Sequence, residues 1–272
     1  MFKYSDKEIQ RLIKAVYSGK ISPRKLPKTL YIEIAEYLKE GLYKGFGESI
    51  SSLKKGVKLQ TSGIDKSDLQ LLAELRTNVY IFSAAKTYQQ VKDMTGAIIG
   101  NNGTVVPYNE FKAKAKQIFK TYNEDYLKTE YNTALGQAQN AVKWNEIWNN
   151  RDVLPMLKYD AILDMHTSDI CRPLNGIVAP VNDPIWKKIM PLNHFNCRCI
   201  VKQLGEGTKP STDSKKSKAF KNATGQMQDI FKMNAGIDGY VFKKDHPYFT
   251  VPKSDKEFAK KNFGFKIPKN DN

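Results

Sequence analysis

The sequence predicts a mainly α protein carrying a small α+β module, and three observations predict it. Apolar residues recur at helical spacing through the first half of the chain. That periodicity stops near residue 152, and all three cysteines lie within the next 50 residues, in a stretch whose apolar runs are short and strand-like.

The elements follow in order. Ile9, Leu12, Ile13, Val16 and Tyr17 form one helical stripe behind Ser5, a side chain suited to the N-cap, and Gly19 marks its end. The basic connector ISPRKLPK follows. Leu30, Ile34, Tyr37 and Leu38 make a second stripe that stops in the glycine-bearing stretch 41–47. Ser67 with Gln70 is a capping-box pattern opening a long helix that ends near Met94, with Leu69, Leu72, Ala73, Val79, Tyr80, Ser83 and Val91 on or near one face. Gly96, Gly100, Asn101, Asn102, Gly103 and Pro107 form a turn-rich break before helical stretches at 109–121 and 123–148. KYDAIL and residues 199–204 read as strands of a two- or three-stranded element.

This reading divides the chain into a helical N-terminal region (1–107), a compact Cys/His-containing core (108–205), a polar lysine-rich linker (206–222) and an extended basic C-terminal tail (223–272). In the tail, Met227, Ile230, Phe231, Tyr240, Val241, Phe242, Tyr248, Phe249 and Phe263 are scattered anchors without a long period, so the tail is expected to dock rather than fold alone.

Composition narrows the function classes. With 40% hydrophobic residues, three Trp, 14 Tyr and 13 Phe, the chain can bury a core and is not wholly disordered. No apolar run approaches the roughly 18 residues that a membrane span needs, and the expected site of synthesis is the cytoplasm, without export. Lys and Arg outnumber Asp and Glu by 44 to 28, a net charge of +16 that favours polyanions by releasing their condensed counterions. The excess extends to both ends, and no Walker loop, dinucleotide-binding glycine fingerprint or paired-cysteine finger accompanies it. Nonspecific nucleic-acid contact and a merely solubilising surface both fit.

Chemistry concentrates between residues 164 and 199. Asp164, His166, Asp169 and Cys171 are followed by Arg172 and Asn175-Gly176, then by His194, Cys197, Arg198 and Cys199. Cys171, His194, Cys197 and Cys199 would supply the four thiolate or imidazole ligands of a closed structural zinc site. Cys-x-Cys is tighter than usual zinc spacing, and in a regular strand its two side chains would leave opposite faces. Buried packing of free thiols and a disulfide from Cys171 to Cys197 or Cys199 are the alternatives. Asp164, His166 and His194 around a metal would instead suit a nuclease, although no nucleophile or substrate pocket is specified.

The segment resembles the signature of the phage Mu protein F-like minor head proteins, the phage head-morphogenesis family. Asp164, Thr167, Cys171, Leu174, Asn175, Gly176, His194, Cys197, Arg198 and Cys199 occupy the family's positions in order and spacing. Ser168 stands where many members have a first cysteine, and Asn175 replaces the commoner Asp, leaving a three-cysteine, one-histidine set. Upstream, Lys128-Thr129-Glu130 and the helical run after it look like the family's Arg-Thr-Glu helix. The resemblance covers roughly residues 115–205.

The resemblance implies a minor capsid or head-morphogenesis protein, present in the virion in few copies, bound to the portal and other head proteins and facing packaged double-stranded DNA. On this reading the chain is not an enzyme and has no catalytic residues. The Cys/His segment pins the fold, by zinc or by packing, and Thr129, Glu130, Asp164, Thr167, Gly176 and Arg198 are motif residues of structural importance. The alternative is a metal-dependent nuclease or phage-delivered toxin using the Asp/His/Cys cluster.

Overall fold

The computed structural model describes residue 2 and residues 4–47 and 66–268, with backbone alone at Lys66 and Ser67. Helix α1 spans Asp6–Tyr17 and opens with a reciprocal capping box: Ser5 Oγ accepts from the Glu8 N–H at 3.3 Å, and the Glu8 carboxylate accepts from the Ser5 N–H at 2.8 Å. Its expected stripe is inside, with Leu12, Ile13 and Val16 buried. Helix α2 (Lys28–Gly45) starts behind Pro27, and the long α3 (Lys66–Gly96) follows. The capping-box reading of Ser67 and Gln70 rests on a side chain outside the described residues.

Helix α4 (Tyr108–Lys120) starts behind Pro107, whose fixed φ of −57° suits a helix entry. It runs into one π-helical turn, Thr121–Asp125, where the Tyr126 N–H reaches back five residues to the Thr121 carbonyl. Helix α5 (Leu127–Asn149) leads to strand β1 (Met156–Asp160), β2 (Val178–Pro180), the helical turn α6 (Trp186–Ile189) and β3 (Ile200–Leu204). The order closes with α7 (Asp213–Gln226), α8 (Ala235–Asp238) and α9 (Lys256–Lys260). Among the described residues the architecture is mainly α with one small antiparallel sheet. No helix among the described residues is long and apolar enough to cross a membrane.

Two compact units are interleaved in sequence. The first comprises residues up to Gly41, Arg76–Tyr131 and residues from His246 onward. Tyr31, Ala35, Tyr80, Ala84, Ala85, Tyr88 and Phe263 form its aromatic cluster, and Tyr31 stacks on Phe265 with ring centroids 4.1 Å apart. Here α3 departs from the one-faced helix expected: residues 82–91 are buried on every side, Ser83, Lys86, Thr87 and Gln90 included. The Ser83 and Thr87 hydroxyls donate to carbonyls one turn back, at 2.8 Å each, which lets a mixed sequence occupy a core position. Leu69, assigned to the buried face, is 37% exposed.

The second unit comprises Leu42–Leu75 and Asn132–Asp245 and contains the sheet. Strand β1 is central, with β2 and β3 antiparallel on either side; Leu157 pairs with Ala179 and Gln203, and Tyr159 pairs with Val201. Leu157, Tyr159, Ala179 and Val201 pack with Ile147, Trp186 and Ile189 in one core. Gln203 holds the end of α5 to the sheet, its amide donating to the Ile147 and Leu154 carbonyls at 2.8 and 2.9 Å.

The stretch 206–222, expected as a linker, is instead largely helix. Thr212 caps α7 by accepting from the Lys215 N–H, and Ala219 and Ala223 are buried against the sheet core with Phe220 beside them. Its polarity belongs to the exposed face of a helix that buries mainly alanine. The anchors of the C-terminal tail divide between the units: Met227 and Phe231 are buried in the second, and Phe263 in the first.

Candidate functional site

The site is built on the second unit's sheet by two loops. The first, after β1, carries Asp164, His166, Thr167 and Cys171; the second, before β3, carries His194, Cys197, Arg198 and Cys199. The first loop is organised by Asp164 and Thr167. Thr167 Oγ1 accepts from the Asp164 N–H at 2.7 Å and donates to the Ile162 carbonyl, while Asp164 Oδ1 accepts from the His166 N–H at 2.9 Å.

The return to β2 needs Gly176. It adopts φ +73°, a left-handed conformation that costs other residues energy, while its N–H donates to the Tyr159 carbonyl at 2.9 Å. Asn175 Oδ1 accepts from the Ala161 N–H at 3.0 Å, tying the loop's two ends together.

Arg198 connects the two loops. Its Nη2 donates to both oxygens of Asp164, at 2.8 Å each, and this pairing holds the Asp164 carboxyl below its ordinary pKa. Asp164 and Arg198 are thereby explained as a loop clamp.

Beneath the clamp the sulfur and imidazole groups converge. One ligand atom from each of Cys171, His194 and Cys197 lies within 4.8 Å of the others, and the Cys171 and Cys197 Sγ atoms are 3.7 Å apart. All three cysteines are free thiols; Cys171 and Cys197 are buried and Cys199 is half-buried. Cys199, two residues beyond Cys197, is not among the three residues whose ligand atoms all lie within 4.8 Å of one another.

The Cys-x-Cys objection does not apply, because strand β3 begins only at Ile200. Asn196 turns the loop with φ +57°, a conformation that asparagine tolerates, and the alternation of a regular strand is absent. Hydrogen bonds from the other two thiols hold Cys171 toward the thiolate, with Cys197 and Cys199 pushed the opposite way. The bond to Cys171 raises His194.

Two supporting residues carried no signal of this role in the sequence. Tyr159, fully buried on the central strand, donates from its hydroxyl to Cys171 Sγ at 3.3 Å; Asn193, also buried, donates to the Tyr159 hydroxyl at 2.8 Å and to the Ile189 carbonyl. A buried aromatic on a strand reads simply as core, so only the register reveals what its hydroxyl meets.

The metal set imagined for a nuclease is not assembled. Among the described residues, the cluster that can share an ion is Cys171, His194 and Cys197; Asp164 lies outside it, committed to Arg198 and the loop, and so does His166. The cleft beside the cluster, lined by His166, Cys171, His194 and Cys199 among others, measures about 20 Å³, room for little more than one water.

Thr129 and Glu130 lie in the first unit, on α5. Glu130 is buried and accepts from Lys86 Nζ at 2.9 Å, with the Tyr122 and Tyr248 rings each centred 5.2 Å from that ammonium. Lys86, from α3, is the residue that sequence reasoning missed. Burial pushes Glu130 up and Lys86 down, and their mutual attraction recovers part of each shift.

A two-loop module with a Cys/His cluster on a three-stranded antiparallel sheet is the class that this geometry defines. Residues 101–202 match the family described as Phage Mu protein F like protein, the family whose signature the motif resembles. Similar proteins include the Mu-like prophage FluMu F protein of Haemophilus influenzae (strain ATCC 51907 / DSM 11121 / KW20 / Rd), 32% identical over 80 residues that cover 29% of this chain and 19% of the relative. The putative capsid assembly protein F of Escherichia phage Mu is 32% identical over 78 residues, covering 29% of this chain and 18% of that protein. The similarity thus spans about a fifth of each relative's length. No solved structure matches the chain.

Proposed function

We propose that this chain is a minor head protein acting in phage capsid assembly, carried in few copies in the virion, bound to the portal and other head proteins, and facing packaged double-stranded DNA. It acts as a structural component and catalyses no reaction. The observation that carries this reading is the Mu F-like match over residues 101–202, whose relatives include one named for capsid assembly. The nuclease or toxin alternative loses support because Asp164 is engaged by Arg198 and the cleft beside the cysteines admits little more than one water.

The DNA contact draws support from charge. On α4, Lys112, Lys116 and Lys120 recur every four residues, and like charges at this spacing cost an isolated helix a few tenths of a kcal/mol, about 0.2–0.5 per pair. A polyanion along that face would relieve the repulsion. Binding to duplex DNA is expected to weaken steeply with salt and to show little base preference. Lys116→Glu with Lys120→Glu should lower both affinity and salt slope. Portal co-purification tests the other contact. Salt-insensitive or absent DNA binding would remove the DNA part, and failure to co-purify with portal would remove the portal part.

A further inference from the structure

We propose that Cys171, Cys197, Cys199 and His194 form a closed, structural zinc centre that fastens the two site loops to each other. This inference rests on the geometry of the donors and stands independently of any role in the phage head.

Spacing is the first argument. Two thiolates bound at about 2.3 Å to a tetrahedral ion lie about 3.8 Å apart. The Cys171 and Cys197 sulfurs are 3.7 Å apart, too far for a disulfide and right for two ligands of one ion. The His194 ligand atom falls within 4.8 Å of both. Cys199, half-buried and two residues beyond Cys197, lies outside that 4.8 Å group and would complete a set of four by a shift of its side chain.

The second argument is the tautomer of His194. Its Nδ1 lies 2.8 Å from the Phe195 carbonyl, which can only accept, so the proton sits on Nδ1 and the lone pair is left on Nε2. Zinc-binding imidazoles are oriented by this kind of outer hydrogen bond. Tyr159 supplies the corresponding contact on the sulfur side, its hydroxyl donating to Cys171. Simple packing of thiols would require neither a fixed imidazole nor a buried hydroxyl aimed at sulfur.

The third argument is what the cleft excludes. A space of about 20 Å³ can hold an ion and no organic ligand. Three soft sulfurs and one nitrogen in a tetrahedral set select zinc over magnesium or calcium, and four protein ligands leave no position open for a reacting water. Binding is proton exchange without oxidation. Each thiol that ligates as thiolate releases its proton to solvent, and the Nε2 lone pair enters without proton loss.

The test uses the full chain, purified under reducing conditions and equilibrated with zinc. Elemental analysis should find one zinc per chain, and all three cysteines should resist alkylation until a chelator is added. Cobalt loaded in place of zinc should give the charge-transfer and ligand-field absorption of a tetrahedral thiolate site. Cys171→Ser and His194→Ala should lose the stoichiometric metal, while His194→Cys should keep it. A folded wild-type chain that holds no zinc, gives no such cobalt spectrum and alkylates equally with and without chelator would overturn the proposal. The wild-type measurements decide the matter even if a variant fails to fold.

Discussion

Removing one partner of the Lys86–Glu130 pair should destabilise the first unit far more than removing both. The Lys86 side chain is fully buried and that of Glu130 is 9% exposed, so neither charge has water to return to once its partner is gone. Breaking a buried pair costs about 3–5 kcal/mol, and replacing both members with apolar residues is often neutral. Burial already pushes Glu130 toward its protonated form and Lys86 toward its neutral form, so each can shed an unpaired charge. That escape favours the lower end, about 3 kcal/mol for Lys86→Met or Glu130→Leu alone. At about 2–4 °C per kcal/mol, either single variant should melt roughly 6–12 °C lower. The double variant should be more stable than the sum of the singles predicts, by more than about 1 kcal/mol in urea unfolding of the full chain. Singles that add to within about 0.5 kcal/mol would refute the pairing as the role of Glu130 in the Lys128-Thr129-Glu130 segment.

Three further outcomes follow from particular contacts. A Cβ on Gly45 would sit 2.3 Å from the Leu135 carbonyl oxygen and 2.6 Å from Ala138 Cβ, so Gly45→Ala should cost about 1–3 kcal/mol by urea unfolding; an unchanged midpoint would contradict that packing of α2 on α5. Tyr159→Phe removes the donor to Cys171 and an acceptor for Asn193 and should cost about 1 kcal/mol, with faster amide exchange in the two site loops as the finer readout. Asp255 accepts from Tyr88 and pairs with Arg24, which holds its carboxyl below the ordinary range. The folded state therefore takes up this proton less readily than the unfolded chain. The stabilisation is full above the unfolded carboxylate pKa and is lost as pH falls through the depressed one. Asp255→Asn should be less stable at neutral pH and lose less stability on acidification in melts from about pH 7 to pH 3; a pH dependence equal to wild type would refute the assignment.

Local rules were legible in the sequence wherever the chain obeys them locally. Ser5 announces the start of α1, and the Cys/His motif marks the loops that carry the site. What stayed hidden depends on contacts distant in sequence. Nothing around Lys86 distinguishes a buried ammonium from a solvated one, because its partners come from residues 122, 130 and 248. Strand β2 has only three residues and is defined by its pairing with β1. Helix α7 resembled a linker because Ala219 and Ala223 satisfy its buried face with little hydrophobic signal. The Cys-x-Cys spacing misled because the positive φ of Asn196 is a backbone property that alternation rules do not contain.

Quantitative mass spectrometry of purified virions and procapsids tests the proposed role most directly. A minor head protein is expected in both particles at low stoichiometry, with copies scaling with portal. Absence from both, while portal and major capsid protein are detected, would contradict the proposed assignment of this chain to the phage head.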